Sequence, residues 1–266
     1  SVKDLVYRIE AADVQMVLTL DEPEICAKLD EAQAKTGDMV KIKALLHGQR
    51  EGYVDFGAVV EAASESFARP TGDAAPKSTD VMIAYFTSGT EGMPKIVAHD
   101  YFYPLCHITT ARFWHNLGPD DLHLTVADTG WAKTSWGKIY GQWICEAAVF
   151  VYDYDKRFSP KDFLELIEKY GITSFCAPPT IYRFLIKEDL SGYSFQTLKK
   201  CSIAGEPLNP EVYHQWYKAT GLKLREGYGN TENTVLAANN LLMEAAATCM
   251  SKTQLPGFSL IPPLSC

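Results

Sequence analysis

Tyr85-Phe86-Thr87-Ser88-Gly89-Thr90-Glu91-Gly92-Met93-Pro94-Lys95 is the stretch on which the reading of this chain turns. Thr87 to Lys95 packs three hydroxyls, two glycines and a lysine into nine residues. Glycines let backbone N–H groups approach phosphate oxygens and adopt positive φ. Hydroxyls add donors or reach a magnesium ion, and lysine adds a point charge. The composition is that of a loop that holds a polyphosphate. A polar hairpin loop with no ligand is the competing reading.

A Walker A loop does not fit, because that motif needs Gly-Lys-Ser/Thr opening a helix. Here Pro94 precedes Lys95, and Ile96-Val97-Ala98 reads as a strand. Val81-Met82-Ile83-Ala84-Tyr85-Phe86 reads as another, so the loop joins two strands.

The chain has 266 residues, 47% of them hydrophobic and 22% charged, which is ordinary globular composition. The net charge of −8 argues against general attraction to nucleic acid or membrane. Local dipoles and Lys95 still decide whether a nucleotide binds. Seven cysteines are scattered singly with no C-x-x-C pair. Free thiols and a cytoplasmic location are the expectation. The six histidines lack metal-ligand spacing, and no signal peptide, membrane-spanning apolar run or repeat is evident.

Working outward, residues 4–12 read as a helix, Met16–Leu20 as a buried strand, 24–35 as a helix and Val40–Leu46 as a strand. Asp55–Ala68 reads as a helix, and Arg69–Pro76 is linker-like. That linker marks either a boundary or a connection within one domain. Downstream, Tyr101–Arg112 and Ala132–Cys145 read as helices, and Leu122–Val126 and Ala148–Tyr152 as strands. Pro160 opens a helix with Phe163, Leu166, Ile167 and Tyr170 as its apolar stripe. Thr173–Cys176, Lys200–Ala204 and Leu222–Glu226 read as strands, Pro178–Lys187 and Pro210–Thr220 as helices. This alternation predicts an α/β fold with mostly parallel sheets and one strand-loop-strand hairpin. Ligands of such sheets sit at the carboxyl ends of strands.

Two further motifs fall at such ends. Gly205-Glu206-Pro207 follows one strand and alone is a turn. Glu226-Gly227-Tyr228-Gly229-Asn230-Thr231-Glu232 follows another. Tyr228 offers a stacking surface, Thr231 a hydroxyl and Glu232 a carboxylate suited to Mg²⁺.

Together, Thr-Ser-Gly-Thr-x-Gly-x-Pro-Lys, Gly-Glu-Pro and Tyr-Gly-x-Thr-Glu resemble the signature set of the adenylate-forming superfamily. Residues 81–236 resemble it continuously, with acyl-CoA synthetases of the medium-chain and acetate-like branch nearest. Asp128-Thr129-Gly130-Trp131 and Lys3-Asp4-Leu5-Val6-Tyr7-Arg8 add to the likeness. Glu91 departs from it, standing where a small or hydroxylic residue is common.

The resemblance implies ATP, Mg²⁺ and CoA as cofactors and a small carboxylic acid as substrate. Thr87, Ser88, Gly89, Thr90, Glu91, Gly92, Met93, Pro94 and Lys95 would wrap the β- and γ-phosphates, with Thr87 helping Mg²⁺. Gly205, Glu206, Pro207, Glu226, Gly227 and Tyr228 would flank adenine. Asn230 lies in the same nucleotide-binding motif. Thr231 would touch the α-phosphate and Glu232 would hold Mg²⁺. Lys95, Thr231 and Glu232 are the implied catalytic set, and Gly229 would pass beside the carboxylate. Trp131 would line the acyl or CoA passage; the alternative is a core tryptophan. No side-chain nucleophile is required and no Ser-His-Asp set is evident.

Residues 1–76 are expected to form a small αβ portion and 77–236 the AMP-binding core. Residues 237–266 read as an aberrant or truncated tail, with the family's C-terminal lid domain absent and the chain a fragment of a longer parent. A non-catalytic nucleotide-binding remnant and a luciferase-like or peptide-synthetase adenylation domain are the alternatives.

Overall fold

The computed structural model describes residues 1–87, 93–153 and 157–240. It divides into two compact units, Ser1–Pro76 and Lys77 onward.

The first unit is a βαβ-type layer. Helix α1 (Val2–Ala11) starts at a capping box in which the Ser1 and Asp4 side chains satisfy each other's backbone N–H groups. Helix α2 (Pro23–Thr36) opens with proline, whose missing N–H costs nothing at that position. Strands β1 (Met16–Thr19), β2 (Ile42–Leu45) and β3 (Val54–Asp55) pair in parallel in that order. Ile9, Ala32 and Val40 form the core, with Leu5, Val6 and Val17 against it.

Two expectations fail here. Met16–Leu20 is not a buried strand: Met16, Leu18 and Leu20 are 42%, 44% and 52% exposed. The helices cover only the Val17 face, so alternation decides burial. The helix expected over 55–68 shrinks to α3 (Phe56–Glu61). It buries none of its residues, so packing does not propagate it. Beyond it the Ser64 hydroxyl accepts the Ser66 N–H, a local alternative to helix.

The second unit begins with the hairpin β4 (Val81–Thr87) and β5 (Lys95–Asp100), antiparallel with Tyr85 opposite Val97 and Thr87 opposite Lys95. A six-stranded sheet follows, ordered β7-β6-β8-β9-β10-β11. Its members are β6 (Leu122–Thr125), β7 (Ala148–Val149), β8 (Ser174–Ala177), β9 (Lys200–Ala204), β10 (Leu224–Gly229) and β11 (Val235–Ala238). All pairs are parallel except β10 with β11.

The helices of this unit are α4 (Tyr103–Thr109), α5 (Ala132–Thr134), α6 (Tyr140–Ile144), α7 (Pro160–Lys169), α8 (Pro179–Leu185) and α9 (Pro210–Thr220). Helices α7, α8 and α9 bury Phe163, Leu164, Ile167, Tyr182, Leu185, Val212 and Trp216 against Phe175, Ile203 and Leu224 of the sheet.

The long helices expected over 101–112 and 132–145 are interrupted. Wide π turns occupy Thr110–His115 and Ser135–Ile139. Such turns concentrate at functional sites. Strand β7 covers only two of the five residues expected, because its pairing with β6 stops after His123–Val149. On α7, Leu164 is buried, whereas Tyr170 is its exposed C-cap. Strand β10 runs past Glu226, so Glu226, Gly227, Tyr228 and Gly229 lie inside the strand rather than after it.

Candidate active site

The carboxyl ends of β6, β9 and β10 and the tip of the β4–β5 hairpin converge on one cleft of about 590 Å³. Its lining includes Thr87, Trp131, Gly205, Gly229, Asn230, Thr231 and Glu232. Ligand sites commonly have this size, and open α/β sheets place them at this end. A larger groove of about 760 Å³ lies between residues 186–191 and α9. It contains none of the motif residues, so the smaller cleft is the candidate.

Each wall has a local cause. On the first, Thr87 and Lys95 are the last register pair of the hairpin, and the side chain of Lys95 is exposed. Met93 and Pro94 lead into β5. Ser88, Gly89, Thr90, Glu91 and Gly92 lie outside the described residues.

On the second wall, the Asp128 carboxylate accepts the Gly130 N–H at 2.7 Å, and its carbonyl accepts the Trp131 N–H at 3.1 Å. This Asx turn presents Trp131, which is 63% exposed. Among the described residues Trp131 is thus not part of a core. Next to it, buried Lys133 donates from Nζ to the Ala204 carbonyl at 3.0 Å. That bond ties the segment after β6 to the end of β9.

Gly205 follows Ala204 with φ +106°, a conformation that strains an L side chain. The Glu206 carboxylate turns towards α8, accepting the Thr180 hydroxyl at 2.7 and 2.9 Å and pairing with Arg183 at 3.4 Å. Glu206 and Pro207 are exposed and do not line the cleft.

The third wall is the end of β10. Half-buried Glu226 accepts the Leu208 N–H at 3.1 Å, and burial raises its pKa. It braces the segment after Pro207 rather than facing the cleft. Gly227 packs under Trp114: a Cβ there would lie 2.6 Å from the indole ring. Tyr228 is 53% exposed, available to stack. At Gly229 the ladder shifts register, and a Cβ would meet the Thr234 carbonyl oxygen at 2.4 Å. Asn230–Asn233 then turns, with the Asn233 side-chain amide donating to Asn230 Oδ1 at 3.0 Å. This turn sets Thr231 and Glu232 opposite the hairpin.

Of the sequence candidates, the cleft gathers Thr87, Trp131, Gly205, Gly229, Asn230, Thr231 and Glu232. It does not gather Met93, Pro94, Lys95, Glu206, Pro207, Glu226, Gly227 or Tyr228. It adds Tyr85, Phe86, Ala132 and Lys133. Lys133 carried a signal, a cation two residues after Trp131, which the reading of 132–145 as plain helix concealed.

The sequence matches the AMP-binding enzyme family over residues 1–258. The chain belongs to this family. The match continues past Leu236, where the motif resemblance ends. Human acyl-coenzyme A synthetase ACSM3, mitochondrial, is 34% identical over 97% of this chain and 43% of that protein. Human acyl-coenzyme A synthetase ACSM4, mitochondrial, is 36% identical over 96% of this chain and 43% of that protein. The chain thus spans less than half the length of these curated relatives. Among solved structures, the Brucella canis acyl-CoA synthetase superposes with a TM-score of 0.78 at 26% identity, covering 92% of this chain and 44% of that one. The anthranilate CoA ligase AuaEII, crystallised with anthranoyl-AMP, shares the fold at TM-score 0.79 and 20% identity, over 91% of this chain and 46% of that one. An adenylate-forming α/β fold and a ligase family follow.

Proposed function

We propose that this chain supplies the nucleotide- and carboxylate-binding part of an AMP-forming acid–thiol ligase, with residues 77–236 as its core. The observation that carries this reading is the cleft itself. Thr87, Thr231, Glu232, Gly205, Gly229 and the exposed Trp131 line it together at the strand ends.

A carboxylate is a poor electrophile because oxide would have to leave. Activation has its oxygen attack the α-phosphorus of ATP while the bond to the β-phosphate bridging oxygen breaks. Acyl-adenylate and pyrophosphate result. The thiolate of CoA then attacks the acyl carbon, and the C–O bond to AMP breaks. Both partners in the first step are anions, so the site must surround them with donors and positive charge.

Thr87 and the loop ending at Lys95 cradle the β- and γ-phosphates in this reading, and Thr231 binds the α-phosphate. Tyr228 and Gly205, at the ends of neighbouring strands, bound the adenine in this reading, and Trp131 lines the acyl or CoA passage. Lys133 adds a cation at the wall between Trp131 and Gly205. Glu232, with Thr87, suits Mg²⁺, which supplies charge neutralisation on the phosphates and needs only one or two protein oxygens. No cluster of three metal-ligating side chains occurs among the described residues.

No helix among the described residues is long and apolar enough to cross a membrane. The five described cysteines are free. The named relatives are mitochondrial; cytoplasm or mitochondrion fits this chain.

The test is carboxylate-dependent ATP–pyrophosphate exchange with acetate, butyrate, octanoate and benzoate. Exchange that Lys95→Ala and Glu232→Gln abolish is expected, and the preferred acid names the substrate class. No exchange from a folded chain would assign it to nucleotide binding without turnover.

A further inference from the structure

The hairpin that carries the phosphate loop also carries His99, a residue in none of the three motifs. Its Nε2 lies 2.7 Å from the backbone carbonyl oxygen of Thr231, across 132 residues of sequence. A carbonyl can only accept, so Nε2 carries the hydrogen and donates it. Thr231 sits in the middle of the turn between β10 and β11, where it and Glu232 line the cleft. The Asn230–Asn233 bonds close the shoulders of that turn. His99 holds its centre.

The imidazole is held in turn. It stacks on Tyr103, with ring centroids 3.9 Å apart and planes 18° from parallel. The Tyr85 ring stands edge-on at 6.1 Å. Tyr103 is itself buried, edge-on to His107 at 4.4 Å. Tyr85 lines the cleft, and its hydroxyl bonds the Ser135 hydroxyl in the segment that carries Lys133. The hairpin therefore reaches both opposing walls through two neighbouring aromatic side chains.

We propose that His99 is a positioning residue of the cleft. By fixing the Thr231 carbonyl against the hairpin, it sets Thr231 and Glu232 at a constant distance from Thr87 and Lys95, the last register pair of the hairpin. The ligand that needs this spacing is a magnesium-bound nucleoside triphosphate, and this clause rests on the function proposed above. A triphosphate is bound at both ends at once, so a turn that drifts loses one contact to keep the other. Misplacement of a reacting group by about 1 Å costs about a hundredfold in rate.

The competing role is structural, with His99 serving only as a ring in the Tyr103 stack. Two substitutions separate the roles. His99→Phe keeps the ring and removes the donor. His99→Gln removes the ring and returns an amide donor at similar reach. His99→Met has the length of glutamine without the donor, and it replaces His99→Phe in the comparison should that variant unfold.

Two measurements are made on the full chain. Backbone hydrogen exchange of the peptide spanning Gly229–Val235, without nucleotide, reads the turn directly. Positioning predicts about five- to tenfold faster exchange in His99→Phe and in His99→Met, the worth of one hydrogen bond, and near-parental exchange in His99→Gln. Peptides from β8 and β9 stay unchanged. In ATP–pyrophosphate exchange, kcat falls about ten- to a hundredfold in His99→Phe, the carboxylate KM changes less than about twofold, and His99→Gln recovers most of the rate.

Parental exchange of the turn in His99→Phe and His99→Met would overturn the proposal. So would a His99→Gln variant no better than its donor-free counterpart. Were the parent protein itself inactive in pyrophosphate exchange, the proposed function would fail, while hydrogen exchange would still decide the role of His99.

Discussion

Gly229→Ala tests whether the turn bearing Thr231 and Glu232 is held by a close backbone approach. The added Cβ would lie 2.4 Å from the Thr234 carbonyl oxygen and 3.0 Å from Val235 Cα. Both are backbone atoms of the paired strand, so no side chain can swing aside. Relief requires opening the β10–β11 ladder at its register shift. Overpacking of this kind costs about 1–3 kcal/mol. With a urea dependence of about 1–3 kcal/mol/M, the midpoint should fall by about 1 M. Gly118→Ala is the matched control: a Cβ there meets nothing within 4 Å. It should shift stability by less than about 0.5 kcal/mol. All five tryptophans lie between residues 114 and 216, so indole fluorescence during urea unfolding reports the second unit alone. A Gly229→Ala midpoint equal to that of Gly118→Ala would refute the argument.

Acid should weaken the fold well above the carboxylate range. Burial lowers the pKa of His107 to about 3 and of His123 to about 4. Each is therefore neutral when folded and takes up a proton on unfolding below about pH 6.5. Stability is full above that pH and is lost as pH falls towards 4, by about 1.4 kcal/mol per unit for each histidine; urea midpoints flat from pH 7 to 4.5 would contradict this. Asp121→Asn should cost about 1–3 kcal/mol, because the Asp121 carboxylate accepts Lys200 at 2.6 Å and Thr173 at 2.8 Å while nearly buried. Burial pushes the Asp121 pKa up, but these hydrogen bonds outweigh it and lower it overall. Its contribution is thus present above about pH 4 and lost below, and an unchanged melting curve in Asp121→Asn at pH 7 would count against it. Trp131→Ala should change the unfolding free energy by less than about 0.5 kcal/mol, since the ring is exposed, yet reduce pyrophosphate exchange with bulky acids; equal loss with acetate would separate Trp131 from the acyl passage.

Strands β9 and the hairpin, and helix α9, were legible because period, capping residue and punctuation agree there. Asn209 caps α9, Pro210 opens it and Gly221 ends it in the left-handed conformation. Part of each motif lines the candidate cleft, because glycine and hydroxyl residues recur at strand ends. The π turns at 110–115 and 135–139 were not legible. Their sequence reads as continuous helix, and only tertiary packing imposes the wider turn. Glu226 was expected to flank adenine, but the half-buried carboxylate that accepts the Leu208 N–H is a contact across 18 residues that the motif does not show. Lys133 and His99 share that character. Their partners, Ala204 and Thr231, are 71 and 132 residues away, and both are backbone carbonyls, which any sequence offers at every position.

The hairpin and the clasp to Thr231 differ greatly in the length of chain that each must close. Strands β4 and β5 pair across a short loop, and such hairpins assemble in about 1–10 μs. The contact from His99 to Thr231 closes 132 residues and waits for the β8-β9-β10 crossovers between them. Loop-closure entropy and parallel pairing both delay it. Pulse-labelled hydrogen exchange during refolding should therefore protect β4 and β5 before Leu224–Ala238. On the ribosome, the phosphate-loop hairpin would stand formed while the strands that complete the cleft had yet to emerge.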